Sequence, residues 1–205
     1  MNIIKPIDYL TSDQNIFFTS DLHIGHANVI KFDKRPFKDI NEMSSEVIER
    51  WNNVVSENDI VYFLGDFTYK FNTKSAKWFA NQLNGDIRII LGNHDRVKDI
   101  IKIDRFSDVQ TYKRLDITDY DENGKEYIQN VILSHYPMLS WDKSHYGSFH
   151  LHGHTHQSLT ETDYGKNVYY KRKVLDMGCN GWDYTPVSYQ EIKEIMGNKE
   201  LSKHH

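Results

Sequence analysis

Three short apolar runs in the first half of the chain each stop abruptly at a cluster of Asp, Asn, His and Gly. Residues 15–20 (NIFFTS) end at Asp21-Leu22-His23, residues 59–64 (DIVYFL) at Gly65-Asp66, and residues 86–91 (DIRIIL) at Gly92-Asn93-His94-Asp95. Runs of this length, rich in Ile, Val, Phe and Tyr, read as buried strands. Helical patterns lie between them. Residues 41–55 space Met43, Val47, Ile48 and Trp51 along one face, and residues 75–83 close on the stop signal Asn84-Gly85. Strands alternating with helices imply an α/β fold. In such sheets ligands gather beyond the carboxyl ends of the strands, so loops distant in sequence converge there. The polar clusters occupy those ends.

The second half is less helical. A strand is expected within 106–115, a hairpin turn at 121–124, and strands at 127–133, 149–152 and within 168–177. Residues 136–148 read as a loop or short helix. Two further clusters follow strands, Ser134-His135 and Gly153-His154-Thr155-His156. With no repeat, low-complexity tract or linker, residues 1–196 read as a single domain and 197–205 as a polar tail. His204 and His205, at the end of that tail, are as readily a purification tag as native sequence and carry no functional weight.

Charge excludes some classes. The 25 basic and 29 acidic residues give a formal −4, with no polybasic run, so a large electrostatic footprint for nucleic acid is not indicated. A local basic patch stays open. Residues 1–10 lack the apolar core of a signal peptide, and no apolar stretch approaches the roughly 18 residues of a membrane span. A cytoplasmic location is expected, with no membrane partner. The single cysteine, Cys179, cannot close an internal disulfide, which suits a reducing compartment. It reads as a small semi-buried hydrophobe rather than a nucleophile.

Eleven histidines are present, and nine lie between His23 and His156. Together with Asp21, Asp66 and Asn93 they make an oxygen and nitrogen donor set without thiolate. That chemistry suits divalent manganese, iron, zinc, nickel or magnesium. The spacing of two in Asp21/His23 and His154/His156 puts both members of each pair on one side of an extended segment. Each fragment alone has a structural explanation: Gly-Asp is a common turn, and a lone strand-end histidine is usually hydrogen-bonded at the surface. Five complementary clusters at five strand ends do not share one.

Asp21-x-His23, Gly65-Asp66, Gly92-Asn93-His94-Asp95, His135 and Gly153-His154-x-His156 together resemble the signature of the calcineurin-like metallophosphoesterases. All five blocks occur in order across residues 21–156. The extension Asp21-Leu22-His23-Ile24-Gly25-His26, with Arg35-Pro36-Phe37, is similar to a branch of small bacterial and phage members. The resemblance implies two mixed β-sheets packed face to face with helices outside, in four layers, and a dinuclear centre at one rim. It implies one ion held by Asp21, His23, Asp66 and His156, and a second by Asp66, Asn93, His135 and His154. His94 is implied to stand beside the scissile phosphate as a catalytic non-ligand, with Asp95 or another carboxylate orienting it.

The residues support that chemistry on physical grounds. Two divalent ions less two carboxylates leave a site of about +2, fitted to an anionic phosphate. A bridging carboxylate leaves room for a water activated toward hydroxide, which attacks phosphorus in line. The expected activity is hydrolysis of phosphomonoesters or phosphodiesters of small or nucleotide-like substrates, with manganese the first metal to try. A nuclease is the alternative, and a catalytically inactive metal-binding scaffold the third.

Neighbouring residues carry two readings each. Arg35 has the fork geometry to grip a substrate phosphate, or is a solvated loop arginine. His26 and Asn28 contact substrate or cap the next helix. Arg96 meets phosphate or pairs with Asp95. His145 and His150 favour solvated or packing roles, His152 favours supporting the ligands or a buried structural use over ligation, and Trp141, Trp182 and Tyr184 favour packing over an aromatic wall. Residues 177–182 resemble the family's closing strand and loop, which would border the site.

Overall fold

Among the described residues ten strands sort into two sheets, and the chain passes between them after β1, β5 and β9. The computed structural model describes residues 7–69 and 73–202. In chain order the strands are β1 (Ile7–Thr11), β2 (Ile16–Thr19), β3 (Ile60–Phe63), β4 (Asp86–Ile90), β5 (Phe106–Gln110), β6 (Tyr112–Tyr120), β7 (Glu126–Ser134), β8 (Phe149–His152), β9 (Val174–Asp176) and β10 (Val187–Ser188). One sheet has the order β10-β2-β3-β4-β5, the other β1-β6-β7-β8-β9. In the first, β2 to β5 run parallel and β10 antiparallel; in the second, only β6 and β7 pair antiparallel.

Both sheets are therefore mixed, they pack face to face, and helices flank them, as expected. The pleat assigns each residue its layer. Phe18, Tyr62, Leu64 and Ile90 point between the sheets, where they meet Leu115, Val131, Leu133 and Leu151. Their neighbours Val61, Phe63, Ile87 and Ile89 point the other way, onto Met43, Val47, Trp51 and Phe79 of the helical layer. That layer contains α1 (Ala27–Phe32), α2 (Ile40–Val54), α3 (Thr73–Ala80) and α4 (Val97–Ile100); α5 (Tyr189–Gly197) follows β10. A charged tie joins the sheets. Asp8 of β1 accepts from the Tyr62 hydroxyl at 2.6 Å and from Arg88 at 3.0 Å, and the buried Lys113 spans Asp8 at 2.9 Å and Asp108 at 2.6 Å.

Several boundaries differ from the sequence reading. The single strand expected within 106–115 is two strands in two sheets, because the chain crosses between layers at Thr111. Of residues 168–177 only β9 is extended. Residues Gly165–Tyr169 form a wide helical turn that buries Tyr169 against Trp141, with its hydroxyl on the Met138 carbonyl at 3.0 Å. β1, α1, β10 and α5 had no counterpart in the reading, although α5 carries a readable capping box, Ser188-x-x-Glu191. His204 and His205 lie outside the described residues. No helix among those described is long and apolar enough to cross a membrane.

Phe63 is fully buried on the helical side of its sheet, whereas Tyr9 is 78% exposed on an edge strand. Phe63→Ala should cost about 3–5 kcal/mol by urea denaturation, and Tyr9→Ala no more than about 0.5 kcal/mol.

Candidate metal centre

The parallel strands end at one rim, and the five polar clusters meet there. Asp21 and His23 follow β2, Asp66 follows β3, Asn93 and His94 follow β4, His135 follows β7, and His154 and His156 follow β8. The backbone turns sharply as it leaves the sheets. Asp21, His23, Asp66, His154 and His156 all have φ between 46° and 71°, in the left-handed region that costs non-glycine residues about 1–2 kcal/mol each. Asp and His tolerate that region better than β-branched or bulky apolar residues. Close approach demands glycine at two neighbours: a Cβ on Gly92 would collide with the Asp66 carboxylate, and one on Gly153 with the Ser20 hydroxyl.

The donors fall into two groups that share one carboxylate. His23 Nε2 lies 3.0 Å from His156 Nε2 and 3.5 Å from Asp66 Oδ2, while His156 Nε2 lies 3.6 Å from Asp21 Oδ1. On the other side, His135 Nε2 lies 3.0 Å from Asn93 Oδ1 and 3.5 Å from the same Asp66 Oδ2. His154 Nδ1 completes that group at 2.9 Å from Asn93 Oδ1. Two atoms bound to one ion at ordinary nitrogen or oxygen distances stand about 3.0–3.5 Å apart, so both groups have the spacing of a coordination shell.

Hydrogen bonding tests whether a cation fits. His135 Nδ1 is 2.8 Å from the Leu64 carbonyl and His156 Nδ1 is 2.8 Å from Asp33 Oδ2, and both partners only accept. Each ring therefore carries its hydrogen on Nδ1, and a neutral ring turns the Nε2 lone pair toward other acceptors. Positive charge relieves the crowding of such lone pairs against the Asp66 and Asp21 oxygens, and although burial works against it the carboxylates around them hold His135 and His156 above the ordinary imidazole range. Nδ1 hydrogens fixed by a carbonyl or carboxylate are also how metal-bound histidines are oriented. Burial pushes the His23 ring down to about 3, which keeps it neutral, with one nitrogen lone pair free to bind a cation. Among the described residues the Nδ1 of the same ring is buried without a hydrogen-bond partner.

Comparison with known proteins agrees with this geometry. The family model described as calcineurin-like phosphoesterase matches residues 15–184. The chain belongs to that family. Among its relatives is the uncharacterized protein MJ1445 of Methanocaldococcus jannaschii, 33% identical over 187 residues that cover 90% of this chain and 93% of the relative. The Gene 66 protein of Mycobacterium phage L5 is 28% identical, covering 90% and 95% respectively. A solved structure, the protein of unknown function AQ665 from Aquifex aeolicus, shares the fold with a TM-score of 0.66 at 24% identity, over 89% of this chain and all of that one.

In this calcineurin-like phosphoesterase, three carboxylates outside the donor groups hold the loops. Asp95 accepts the backbone N–H of Asp66 at 2.7 Å, Phe67 at 3.1 Å and Gly92 at 3.0 Å. Its oxygens are thereby engaged with backbone, so the expectation that Asp95 orients the His94 ring is corrected: it fixes the turn that carries Asp66. Asp33 receives His156 and Arg35. Burial works against its charge, but hydrogen bonds from His156 and Asn180 and the nearby Arg35 hold Asp33 well below the usual carboxylate range. Asp176 accepts from the Thr155 hydroxyl and the Gln157 and Gly178 N–H groups, pinning the Gly153–His156 turn. Asp33 and Asp176 went unread in the sequence, because isolated aspartates carry no local signal of partners that distant.

Other expectations change too. Arg35 is buried, and its guanidinium donates to the Asp21 and Leu22 carbonyls at 2.9 and 2.8 Å and to Asp33 at 3.0 Å. It holds the first loop from beneath instead of reaching for phosphate. Arg96 pairs with Asp99, not Asp95, and its side chain is otherwise exposed. His26 begins α1, and its ring packs on Tyr69 at 3.8 Å between centroids. His150 and His152 are buried in β8, as the packing reading has it; Met138 N–H donates to His150 Nε2, and His152 meets the Tyr170 hydroxyl. Trp141 and Tyr184 are core residues. Cys179 is buried beneath Asp21, where desolvation pushes its thiol up to about 12.

His94 and two tyrosines form the open side. His94 donates its backbone N–H to Asp66 Oδ1 at 2.9 Å, and its Nε2 stands 3.9 Å from Asp66 Oδ2. The ring can join His23 and Asp66 in a triad of donor atoms, but it is the more exposed and more distant member. Tyr69 meets the His94 ring edge-on at 5.5 Å, and Tyr136, half exposed, lies 4.7 Å from His154.

Burial pushes the Asp21 carboxyl up to about 7, so below that pH a proton occupies an oxygen a cation needs. Metal affinity of the chelator-stripped protein should rise with pH through about 7, as Asp21 and then the His135 and His156 rings, which neighbouring carboxylates hold above the ordinary imidazole range against the pull of burial, give up their protons. Calorimetry in buffers of different ionisation enthalpy should show proton release at pH 6 that shrinks by pH 8. Asp33→Ala, which frees the His156 ring, should weaken metal binding by about 10–100-fold in the same titration.

Proposed function

We propose that the protein is a dinuclear, metal-dependent hydrolase of phosphomonoesters or phosphodiesters with small, nucleotide-like alcohols. The observation that carries this reading is Asp66 Oδ2, placed 3.5 Å from both His23 Nε2 and His135 Nε2, with His94 alongside. Asp21, His23, Asp66 and His156 would hold one ion, and Asp66, Asn93, His135 and His154 the second. Such ions, manganese first among them with iron, zinc, nickel and magnesium as alternatives, offset charge on phosphoryl oxygens and bring the pKa of water toward neutrality.

The chain's own residues do the rest. Asp66 keeps the two donor groups at a fixed separation, because its backbone is locked by Asp95 and its Oδ1 by the His94 N–H. Asp33 and the Leu64 carbonyl orient the His156 and His135 rings. During hydrolysis a water oxygen bonds to phosphorus as the ester P–O bond breaks, and the departing alcohol oxygen takes a proton. His94, within reach of the site yet open to solvent, supplies that proton.

The test is turnover of 4-nitrophenyl phosphate and bis(4-nitrophenyl) phosphate with manganese. Asp66→Asn should lose nearly all activity. His94→Ala should lower kcat by about 10²–10⁴-fold while elemental analysis finds the wild-type metal content. Equal turnover by all three proteins would overturn the reading.

A further inference from the structure

A cleft of about 600 Å³ opens between α2 and α3. Its position follows from topology. β2, β3 and β4 are parallel, so the crossover helices run back along the sheet and begin at the rim where the strands end. The early turns of α2 and α3 thus flank the metal centre. Tyr69 lines the cleft and also packs edge-on against His94 at 5.5 Å, so one ring borders both the cleft and the side of the centre where His94 stands.

If His94 protonates the leaving alcohol, that alcohol must depart on the His94 side. Beyond Tyr69 lies this cleft. Its volume is within the roughly 300–1,000 Å³ of small-molecule sites, and far more than a phosphate alone requires. Its walls are of two kinds. Ile24 and Phe79 give an apolar base, and Trp78 presents an indole that is 57% exposed. Asn41 and Ser44 on α2 face it with polar groups. An aliphatic alcohol has no use for an exposed indole, and a plain aryl group has none for the polar wall. A nucleoside uses both, stacking its base and hydrogen-bonding its sugar hydroxyls.

We propose that this cleft is the leaving-group subsite and that it takes a nucleoside, with Trp78 as the stacking platform. The proposal rests on the phosphoesterase reading for the phosphate's position, but the cleft is tested separately. Adenosine is the probe, titrated calorimetrically into chelator-stripped full-length protein and then used as an inhibitor of whichever 4-nitrophenyl ester is turned over.

The wild type should bind adenosine saturably and be inhibited competitively by it. Trp78→Ala, and Ser44→Phe, which fills the cleft, should each weaken adenosine in both assays by about tenfold or more. The kcat on the nitrophenyl ester should stay within about threefold of wild type, since neither residue touches the metal centre. Equal thermal melting of the variants checks folding, and Trp78→Ala decides alone if Ser44→Phe melts early. No saturable adenosine binding, or binding that Trp78→Ala leaves intact, overturns the proposal. If esters turn over while adenosine fails, the subsite falls and the phosphoesterase stands. If no ester turns over but adenosine binding depends on Trp78, the cleft stands and the phosphoesterase reading falls.

Discussion

Asp66 places a buried carboxylate oxygen between the His23 and His135 rings, and the rim is built around keeping it there. Its Oδ1 accepts the His94 N–H, its own N–H goes to Asp95, and its carbonyl accepts the His23 N–H at 3.0 Å. One residue thus registers three loops. Asp21 makes a matching tie by accepting the His154 N–H at 3.0 Å across 133 positions of sequence. Two buried carboxylates facing ring lone pairs are stable together only with positive charge among them, supplied by protons or by cations. That competition is why burial drives Asp21 toward neutrality.

The strain has a location. Five donor-bearing residues sit at positive φ, all within the loops that leave the strands, while the sheets beneath them are regularly paired and packed on both faces. Backbone strain of this kind persists only where surrounding structure over-determines it. Here the over-determination is visible as Asp95, Asp176 and the inward-facing Arg35, each spending its hydrogen-bonding capacity on loop backbone. The stiff sandwich and the costly rim are one arrangement. A donor set held within tenths of an ångström needs a core that does not yield, and the fully buried Phe18, Tyr62 and Phe63 supply it.

Much of this was legible locally. Ile16 to Thr19, Ile60 to Phe63 and Asp86 to Ile90 announce themselves as strands by composition and length, and the polar clusters at their ends are contiguous enough to read. The capping box that starts α5 was equally local. What escaped reading was what locality does not encode. The stretch 106–115 has continuous strand character, and nothing in it says that the chain changes sheets at Thr111. Arg35 looks like a surface arginine until the Asp21 and Leu22 carbonyls are seen to need its donors. Trp78 and Tyr69 belong to different segments and become one wall only when α3 is laid beside the Ile24–Gly25 loop.

The division is physical. Side-chain chemistry and period are properties of neighbouring residues, so the sequence by itself determined the donor types, the strand-end placement of each cluster and the α/β class. Distance between residues far apart in the chain is a property of packing. Only the tertiary structure decided that Asp66 Oδ2 lies equally far from His23 and His135, that Asp33 rather than any nearer carboxylate orients His156, and that Asp95 holds backbone instead of His94. Each of those outcomes depends on where two sheets come to rest against each other, and no local pattern carries that information.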